Sequence, residues 1–243
     1  MDGSVVRVGV LGCGTVGASL VALVDRQNAT IHARTGLSLE ISRIAVRDVS
    51  RSRPISVESA VVTSDAMAVA TDPSIDVIVE VMGGISPARE LLLAALGAGK
   101  PVITANKALL AAHGSELFAA AEAAGVDLLF EAAVAGGIPF IRPLRESLLA
   151  EPVLRVMGIM NGTTNYILTR MSEAGADYSD ALAEAQSLGY AEADPTADVE
   201  GHDAAAKIAI VASIAFGAEV TGADVECEGI SKITSDDIAF AKR

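Results

Sequence analysis

The stretch LGYAEADPTADVEGHDAAAK, residues 188–207, gathers carboxylates ahead of a single lysine. Its acidic residues are Glu192, Asp194, Asp198, Glu200 and Asp203. If a helix begins near His202, Asp203 and Lys207 stand four residues apart and share one helical face. A surface ion pair of this kind stabilises a helix by only a few tenths of a kcal/mol. A solvated acidic loop is therefore one interpretation, and a chemical site is the other.

The residues that follow Lys207 favour the site. They read IAIVASIAFGA, a stretch with no polar face, which predicts an interior helix whose one lysine lies at a cleft. A partly buried lysine steadied by carboxylates is suited to proton transfer to or from an alcohol or carbonyl oxygen. His202 is interpreted as a surface residue at the start of the helix, because no second histidine lies near it in the sequence.

A second lysine belongs to the motif TANK, Thr104 to Lys107, at the carboxyl end of a predicted parallel strand. Ligands bind at that edge of an open α/β sheet, so Lys107 is expected near a nicotinamide or a substrate carboxylate. The alternative is a surface lysine that opens a helix. It is less favourable, because the helix dipole repels a cation at the N-terminus.

The motif GCGTVG, residues 12–17, follows the first predicted strand directly and opens a helix. Gly12 permits a tight turn, Gly14 lets the backbone approach a pyrophosphate, and Gly17 lets the helix pack closely on the strand. The helix N-terminus then faces the anion. In this strand-to-helix context the glycines predict a dinucleotide site.

The end of the second predicted strand bears on the choice between NAD and NADP. Arg47 stands where an acidic residue for the ribose hydroxyls is expected, with Asp48 beside it and Arg51 and Arg53 beyond. An arginine there can receive the 2′-phosphate of NADP, whereas Asp48 could serve NAD. A solvated basic loop is the alternative, and use of both cofactors stays open.

The elements that must position these residues alternate β-branched runs with alanine- and leucine-rich helical stretches, which predicts an α/β fold with a parallel sheet covered by helices. The predicted strands are 6–12, 39–46, 76–84, 101–107 and 126–134. The predicted helices run to Val24 after the first strand, over 86–100 with Ser86 as its cap, and to Ala124. Longer helices are predicted over 162–174, 179–188 and 202–217, so a dinucleotide-binding domain is placed at 1–135 and a second domain at 136–243.

Composition excludes several classes of protein. The formal net charge of −13 in 243 residues argues against a nucleic-acid partner, which needs clustered Lys and Arg. Cys13 and Cys227 are too few for a disulfide framework and lack zinc-site spacing, which fits a reducing cytoplasm. The longest uncharged run, Val8 to Val24, has 17 residues and contains four glycines, so neither a membrane span nor a signal peptide is expected.

Six motifs occur here in the order found in homoserine dehydrogenases. They are GCGTVG, DVIVEVMGG, VITANKALLA, FEAAVAGGIP, MNGTTNYIL and LGYAEADPTADVEGHDAAAK. The chain resembles that family over essentially its whole length. The resemblance implies a Rossmann-type doubly wound sheet, a smaller α+β substrate domain, and NAD(P)-dependent interconversion of L-homoserine and L-aspartate 4-semialdehyde. That reaction belongs to threonine, methionine and isoleucine biosynthesis.

The resemblance also assigns roles by motif. Lys107 and Lys207 match the two active-site lysines, with Lys207 the proton donor to the aldehyde oxygen. Glu192 matches the main substrate-binding carboxylate, helped by Asp198 and Asp203. The matches that line the substrate pocket are Thr163 and Tyr190. The matches for cofactor binding are Gly12, Gly14, Thr15, Val16, Gly17, Arg47, Thr104 and Lys107. A loop that in this family can hold a monovalent cation such as sodium matches Glu131, Val134, Gly136 and Ile138.

Homoserine dehydrogenases usually continue well beyond the equivalent of Arg243 and form homo-oligomers. The chain is therefore expected to be a fragment or a truncated reading frame. Whether it is active by itself is left open by the sequence. A noncatalytic NADP-binding or regulatory protein is the alternative function. An aspartate-semialdehyde dehydrogenase is disfavoured because it needs a thiolate nucleophile, whereas Cys13 lies in the phosphate-binding turn and Cys227 in the acidic segment ECEG.

Overall fold

The computed structural model describes residues 4–53 and 62–242. The chain divides into two compact units, Met1–Ile141 and Arg142–Arg243. No helix in the described ranges is long and apolar enough to cross a membrane.

The first unit is built on a six-stranded sheet in the order β3-β2-β1-β4-β5-β6. Its strands are β1 Ser4–Leu11, β2 Leu37–Ala45, β3 Val62–Thr63, β4 Val77–Glu80, β5 Val102–Thr104 and β6 Leu128–Leu129. All neighbouring strands pair in parallel. This is the strand order of a doubly wound dinucleotide-binding fold. In such a fold successive strands are added on one side of β1 and then on the other, so the order of winding reverses beside β1. The predicted Rossmann-type α/β fold is confirmed.

Helices connect β1 to β2, β3 to β4, β4 to β5 and β5 to β6, because parallel strands need a crossover. They are α1 Thr15–Thr35, α2 Ala66–Thr71, α3 Ala88–Gly97 and α4 Lys107–Ala124. Local sequence fixes their ends: the Asp65 carboxylate accepts the Ala68 N–H at the start of α2, and Gly36 and Gly125 end α1 and α4 in the left-handed conformation. Strands β1, β2 and β4 pack on α1 through a cluster of buried residues. They include Val8, Val10, Val21, Ile44, Val46 and Val79.

Several predicted bounds were wrong. Helix α1 does not end at Val24, because no breaker follows until Gly36. Strands β4, β5 and β6 are shorter than predicted, because the chain turns into loops at their carboxyl ends. The predicted cap Ser86 does not cap α3: Pro87 occupies that position and makes no side-chain capping bond.

The first unit ends at Ile141 rather than at residue 135. Glu131 lies in a short 3₁₀ turn, Glu131–Ala133, that follows β6. Its Oε1 accepts the backbone N–H groups of Phe140 at 2.7 Å and Ile141 at 3.0 Å. These bonds tie residues 136–141 to the first unit.

The second unit is helical. Its elements are a π-helical turn Pro143–Ser147, α5 Gly162–Ala174, α6 Tyr178–Ser187, α7 Thr196–Val199, α8 His202–Phe216, a 3₁₀ turn Gly222–Asp224 and α9 Ser235–Ala241. The predicted helices at 162–174, 179–188 and 202–217 match α5, α6 and α8 within one residue at each end. Residues that include Ile167, Met171, Ala181, Ala185, Ala191 and Val199 form a buried core between them.

The α+β character expected of this unit is absent from residues 142–242, which contain no strand. Residues 152–160 run without helical structure, and Leu154 and Met157 on this segment are 91% and 79% exposed. A strand needs a hydrogen-bonded neighbour, and the described part of the unit offers this segment none.

Candidate active site

The turn between β1 and α1 requires its first and last glycines. Gly12 has φ +100°, and a Cβ there would lie 2.8 Å from the Met82 backbone. A Cβ on Gly17 would lie 2.3 Å from the Gly12 carbonyl oxygen, so only glycine lets α1 begin so close to the turn. The sequence interpretation of these two glycines agrees with their geometry.

Between them the turn is open. Gly14 is the N-cap of α1 and makes no side-chain capping bond, and nothing lies within 4 Å of an ideal Cβ on it. Thr15 and Val16 are exposed in the first helical turn, where backbone N–H groups have no intrahelical acceptor. An uncapped helix N-terminus beside an open glycine fits a pyrophosphate.

The turn after β2 is held by its own side chains. Asp48 Oδ1 accepts the Ser50 N–H at 2.8 Å and the Ser50 hydroxyl at 2.6 Å, and these bonds lower the pKa of Asp48. The Arg53 guanidinium donates to the carbonyl oxygens of Arg51 at 2.7 Å and Asp48 at 2.6 Å. Arg47 is exposed, and over residues 4–53 and 62–242 its side chain makes no hydrogen bond or ion pair. Arg47 and the likewise exposed Arg51 are therefore the arginines of this turn that can receive a phosphate, and Arg47 lies nearer to the end of β2.

Lys107 is the first residue of α4 and is partly buried. Asn106 fixes this start, because its side-chain oxygen accepts the Leu109 N–H at 3.1 Å. Thr104 has no exposed surface, and its hydroxyl donates to Glu80. The expected direct contact of the Thr104 side chain with a cofactor is therefore not supported. The side chain forms a buried hydrogen bond instead.

In the second unit, Lys207 lies one helical turn after Asp203 on α8. Its Nζ donates to Asp203 Oδ2 at 2.6 Å and to the Met160 carbonyl oxygen at 2.8 Å. The lysine side chain is 20% exposed and the aspartate side chain 9% exposed, so this is a partly buried pair rather than a surface one.

Asn161 joins this pair to a second carboxylate, and the sequence analysis did not single it out. Its Nδ2 donates to Asp198 Oδ1 at 2.6 Å and to Asp203 Oδ2 at 2.8 Å. Its Oδ1 accepts the Thr164 N–H at 2.8 Å, which caps α5. An Asn before Gly-Thr-Thr is a recognisable cap signal, but the sequence carries no sign of its two aspartate partners.

An open cavity of about 690 Å³ lies over this network. Its lining comprises Asn161, Gly162, Thr163, Asn165, Tyr166, Thr169, Gly189, Tyr190, Asp198, Asp203 and Lys207. The structure thus brings together five predicted residues: Thr163, Tyr190, Asp198, Asp203 and Lys207. Asp198 and Asp203 give the cavity negative charge, and Lys207 gives it a proton donor.

Two tyrosines form one wall. The rings of Tyr166 and Tyr190 have centroids 5.0 Å apart, and the Thr163 hydroxyl donates to the Tyr190 carbonyl oxygen at 2.7 Å. Burial and a hydrogen bond with Glu184 raise the pKa of Tyr166. Arg170 donates to the same Glu184 carboxylate at 2.9 Å, and this bond is the main cause that lowers the pKa of Glu184.

Glu192 is exposed on the loop before α7 and is not among the cavity-lining residues. Its carbonyl oxygen accepts a hydrogen bond from Gln186 at 3.0 Å. The carboxylate expected to be the main substrate contact is thus less enclosed than Asp198 and Asp203.

The loop matched to a cation site follows β6. Ala135 has φ +54°, and its carbonyl oxygen accepts the Ile138 N–H at 2.9 Å. Val134 is buried, Gly136 is exposed, and Ile138 is 63% exposed. The described residues contain no cluster of three or more His, Cys, Asp or Glu side chains suited to a metal ion. The monovalent-cation site matched to Glu131, Val134, Gly136 and Ile138 stays a prediction.

Neither cysteine has the surroundings of a nucleophile. Burial raises the pKa of the Cys13 thiol, and Arg53 offsets this only in part. The Cys227 thiol donates to the Glu200 carbonyl oxygen at 3.1 Å. The thiolate that an acylating aldehyde dehydrogenase requires is not supported at either position.

Comparisons with known proteins cover both units. A family model described as homoserine dehydrogenase, NAD binding domain, matches residues 12–131, and one described as homoserine dehydrogenase matches residues 139–243. Homoserine dehydrogenase of Corynebacterium glutamicum is 56% identical over 241 residues, which are 99% of this chain and 54% of that protein. The chain spans about half the length of the curated relatives it matches.

Solved structures agree in fold. A homoserine dehydrogenase from Thiobacillus denitrificans superposes with a TM-score of 0.91 at 45% identity, over 98% of this chain and 55% of that one. A hyperthermophilic archaeal homoserine dehydrogenase in complex with NADPH gives a TM-score of 0.79 at 28% identity, over 94% of this chain and 75% of that one.

Proposed function

Because the chain belongs to the homoserine dehydrogenase family, we propose that it interconverts L-homoserine and L-aspartate 4-semialdehyde with a nicotinamide cofactor. The observation that carries the proposal is the network in the second unit, where Asn161 joins Asp198 to the pair formed by Asp203 and Lys207. The substrate is an amino acid, so its ammonium needs a carboxylate and its reacting oxygen needs a proton donor. This network supplies both.

Lys207 is proposed to donate the proton to the aldehyde oxygen, and its amine to recover that proton from the alcohol in the reverse direction. An ammonium has three hydrogens, and Asp203 and Met160 accept two of them. The third is available to a ligand oxygen in the cavity. Asp203 holds the Lys207 side chain in one direction, so the donor is oriented before the substrate arrives.

Asp198 and Glu192 are proposed to receive the substrate ammonium. Asn161 occupies Oδ1 of Asp198, and within residues 4–53 and 62–242 the other oxygen has no protein hydrogen-bond donor. Glu192 is the residue that the family resemblance assigns to this role, and its exposed carboxylate is unobstructed. Thr163 supports the wall of the cavity through the Tyr190 carbonyl oxygen.

The first unit is proposed to bind the cofactor at the turn 12–17, with its adenosine 2′-phosphate on Arg47. The cofactor, when bound, supplies or accepts the hydride. The archaeal relative's complex with NADPH supports NADP as the cofactor of this chain. Asp48 is engaged by Ser50, which leaves it less suited to the ribose hydroxyls of NAD. Lys107, at the carboxyl edge of the sheet, is proposed to orient the bound groups.

Further parts of the proposal rest on family resemblance. They are a monovalent cation, sodium among them, held by Glu131 and the loop carbonyls of Val134, Gly136 and Ile138, and a cytoplasmic homo-oligomer in threonine, methionine and isoleucine biosynthesis. One observation fits the cation site: the turned backbone at Ala135.

The test combines turnover with binding. Homoserine-dependent reduction of NADP by the purified chain supports the dehydrogenase. NADPH binding by fluorescence titration, without turnover of homoserine or of the semialdehyde, supports the noncatalytic alternative.

A further inference from the structure

Glu80 is a buried acidic residue at the carboxyl end of β4. It has no exposed surface, and it lies in register with Leu11 of β1 on one side and Thr104 of β5 on the other. A carboxylate in the middle of a parallel sheet is costly to bury unless hydrogen bonds compensate it. Its position therefore requires an explanation from its contacts.

Those contacts are donors from two loops. Oε1 accepts the backbone N–H groups of Met82 at 2.8 Å and Gly83 at 3.1 Å, which closes the turn after β4. Oε2 accepts the Thr104 hydroxyl at 2.6 Å, at the end of β5. Each of these groups donates to the carboxylate, so both of its buried oxygens have hydrogen-bond partners.

Hydrogen bonds continue from Glu80 to the start of α4. The Thr104 oxygen accepts the Asn106 N–H at 3.0 Å. The Asn106 side chain donates to the Gly84 carbonyl oxygen at 2.6 Å and caps α4 through the Leu109 N–H. Asn106 is thereby fixed by both loops, and Lys107 follows it directly. One carboxylate thus ties the turn after β4 to the backbone that carries Lys107.

We propose that Glu80 is a positioning residue that acts through Lys107. Its carboxylate holds Thr104 and Asn106 in place, and these two residues fix the start of α4 so that the Lys107 side chain points toward the bound groups. The inference rests on the proposed function, in which Lys107 orients the bound groups. Glu80 has no surface of its own to offer a ligand. Any effect of Glu80 on catalysis is therefore indirect, and the proposal assigns it to Lys107.

Glu80→Gln tests the idea with little change of shape. An amide can accept from the Met82 and Gly83 N–H groups, but it then presents N–H to the Thr104 hydroxyl, which loses the acceptor for its own proton. Thr104→Val breaks the same connection from the other side and leaves the carboxylate in place. Glu122→Gln, an exposed glutamate on α4, is the matched control.

A double-mutant cycle with Lys107→Ala separates positioning from a general structural role. Glu80→Gln and Thr104→Val are each expected to lower kcat, by up to about 10²-fold for a displaced group. In the Lys107→Ala background each substitution should lower kcat by less than about a further twofold, because the residue through which they act is gone. An equal loss in both backgrounds, or unchanged kcat for both variants, overturns the proposal.

A second readout does not depend on turnover. The chain has five lysines, so reductive ¹³C-methylation gives few dimethyllysine resonances, and Lys107→Arg assigns that of Lys107. The Lys107 resonance is expected to shift in Glu80→Gln and in Thr104→Val but to stay in place in Glu122→Gln. A Lys107 resonance that stays in place in both test variants refutes the positioning role even if the chain proves inactive on homoserine. Inactivity of the wild-type chain alone refutes only the proposed function.

Discussion

Asn161 donates through one amide nitrogen to Asp203 Oδ2, the same oxygen that accepts a hydrogen bond from Lys207. The two donors lie 2.8 Å and 2.6 Å from it. Asp203 is therefore fixed from two sides, and it cannot turn away from the lysine without losing both bonds.

Asn161→Ser tests this arrangement. Serine retains an oxygen that can cap α5, so the midpoint of thermal unfolding should change little. It has no amide to bridge Asp198 and Asp203, so kcat/KM for homoserine should fall by about tenfold or more, as expected when buried acceptors lose a donor. Glu173→Ser, at an exposed position on the same helix outside the cavity lining, is a control for helix stability. Unchanged kcat/KM in Asn161→Ser would remove Asn161 from the site.

Arg47→Ala tests the cofactor assignment. Loss of a charge-assisted hydrogen bond should weaken NADP binding by about tenfold or more and leave NAD binding nearly unchanged. Fluorescence titration with NADPH and NADH measures both affinities. Arg51→Ala, in the same exposed turn, is the matched control and should affect neither. Parallel losses for the two cofactors in Arg47→Ala would mean that Arg47 does not contact the 2′-phosphate.

The two candidate ammonium contacts differ in burial, which orders their effects. Asp198→Asn should raise the KM for homoserine more than Glu192→Gln, because a partly buried charge pair contributes more than an exposed one, which is worth about 0.2–1 kcal/mol. An analogue that lacks the amino group should discriminate poorly between each variant and the wild type. If Glu192→Gln has the larger effect, that exposed carboxylate is the main substrate contact, and the ranking of Asp198 above Glu192 is wrong.

Acid should destabilise the chain through Glu184. Its pKa in the folded state lies below its ordinary value of 4.5, chiefly because of Arg170. A depressed carboxylate pKa contributes stability that is present above the unfolded-state pKa and is lost as pH falls through the folded-state pKa. Glu184→Gln should therefore show a smaller drop in unfolding midpoint between pH 6 and about pH 3 than the wild type. Identical pH dependence in the two proteins would show that the ion pair makes no contribution.

Local signals predicted much of the architecture, because they act over a few residues. The glycine turn at residues 12–17 predicted the first βα unit, and the apolar run after Lys207 predicted α8 with its lysine at a cavity. The expectation that this helix is interior was wrong for most of its length, because only Ala205, Ala209, Ile210 and Val211 are buried. Pairing of Asp203 with Lys207 followed from helical spacing alone. These features needed no knowledge of the tertiary fold.

What was missed depends on partners distant in sequence. Asn161 meets its aspartates across 37 and 42 residues, and Glu80 meets Thr104 across 24. Within DVIVEVMGG, the sequence does not distinguish Glu80 from the other strand residues, because nothing in that stretch identifies the donors that compensate its charge. Thr104 was expected at the cofactor, and only the fold reveals that its hydroxyl points to Glu80.

The most direct test of the proposed dehydrogenase is the homoserine-dependent rate of NADPH formation by the wild-type chain and by Lys207→Ala. The wild type is expected to turn over, and the variant to lose about 10²- to 10⁴-fold in kcat, as for a lost general acid, with its affinity for NADP unchanged. Two results would contradict the account: no homoserine-dependent NADPH from a wild-type chain that binds NADP, or a Lys207→Ala variant whose kcat stays within about twofold of the wild type.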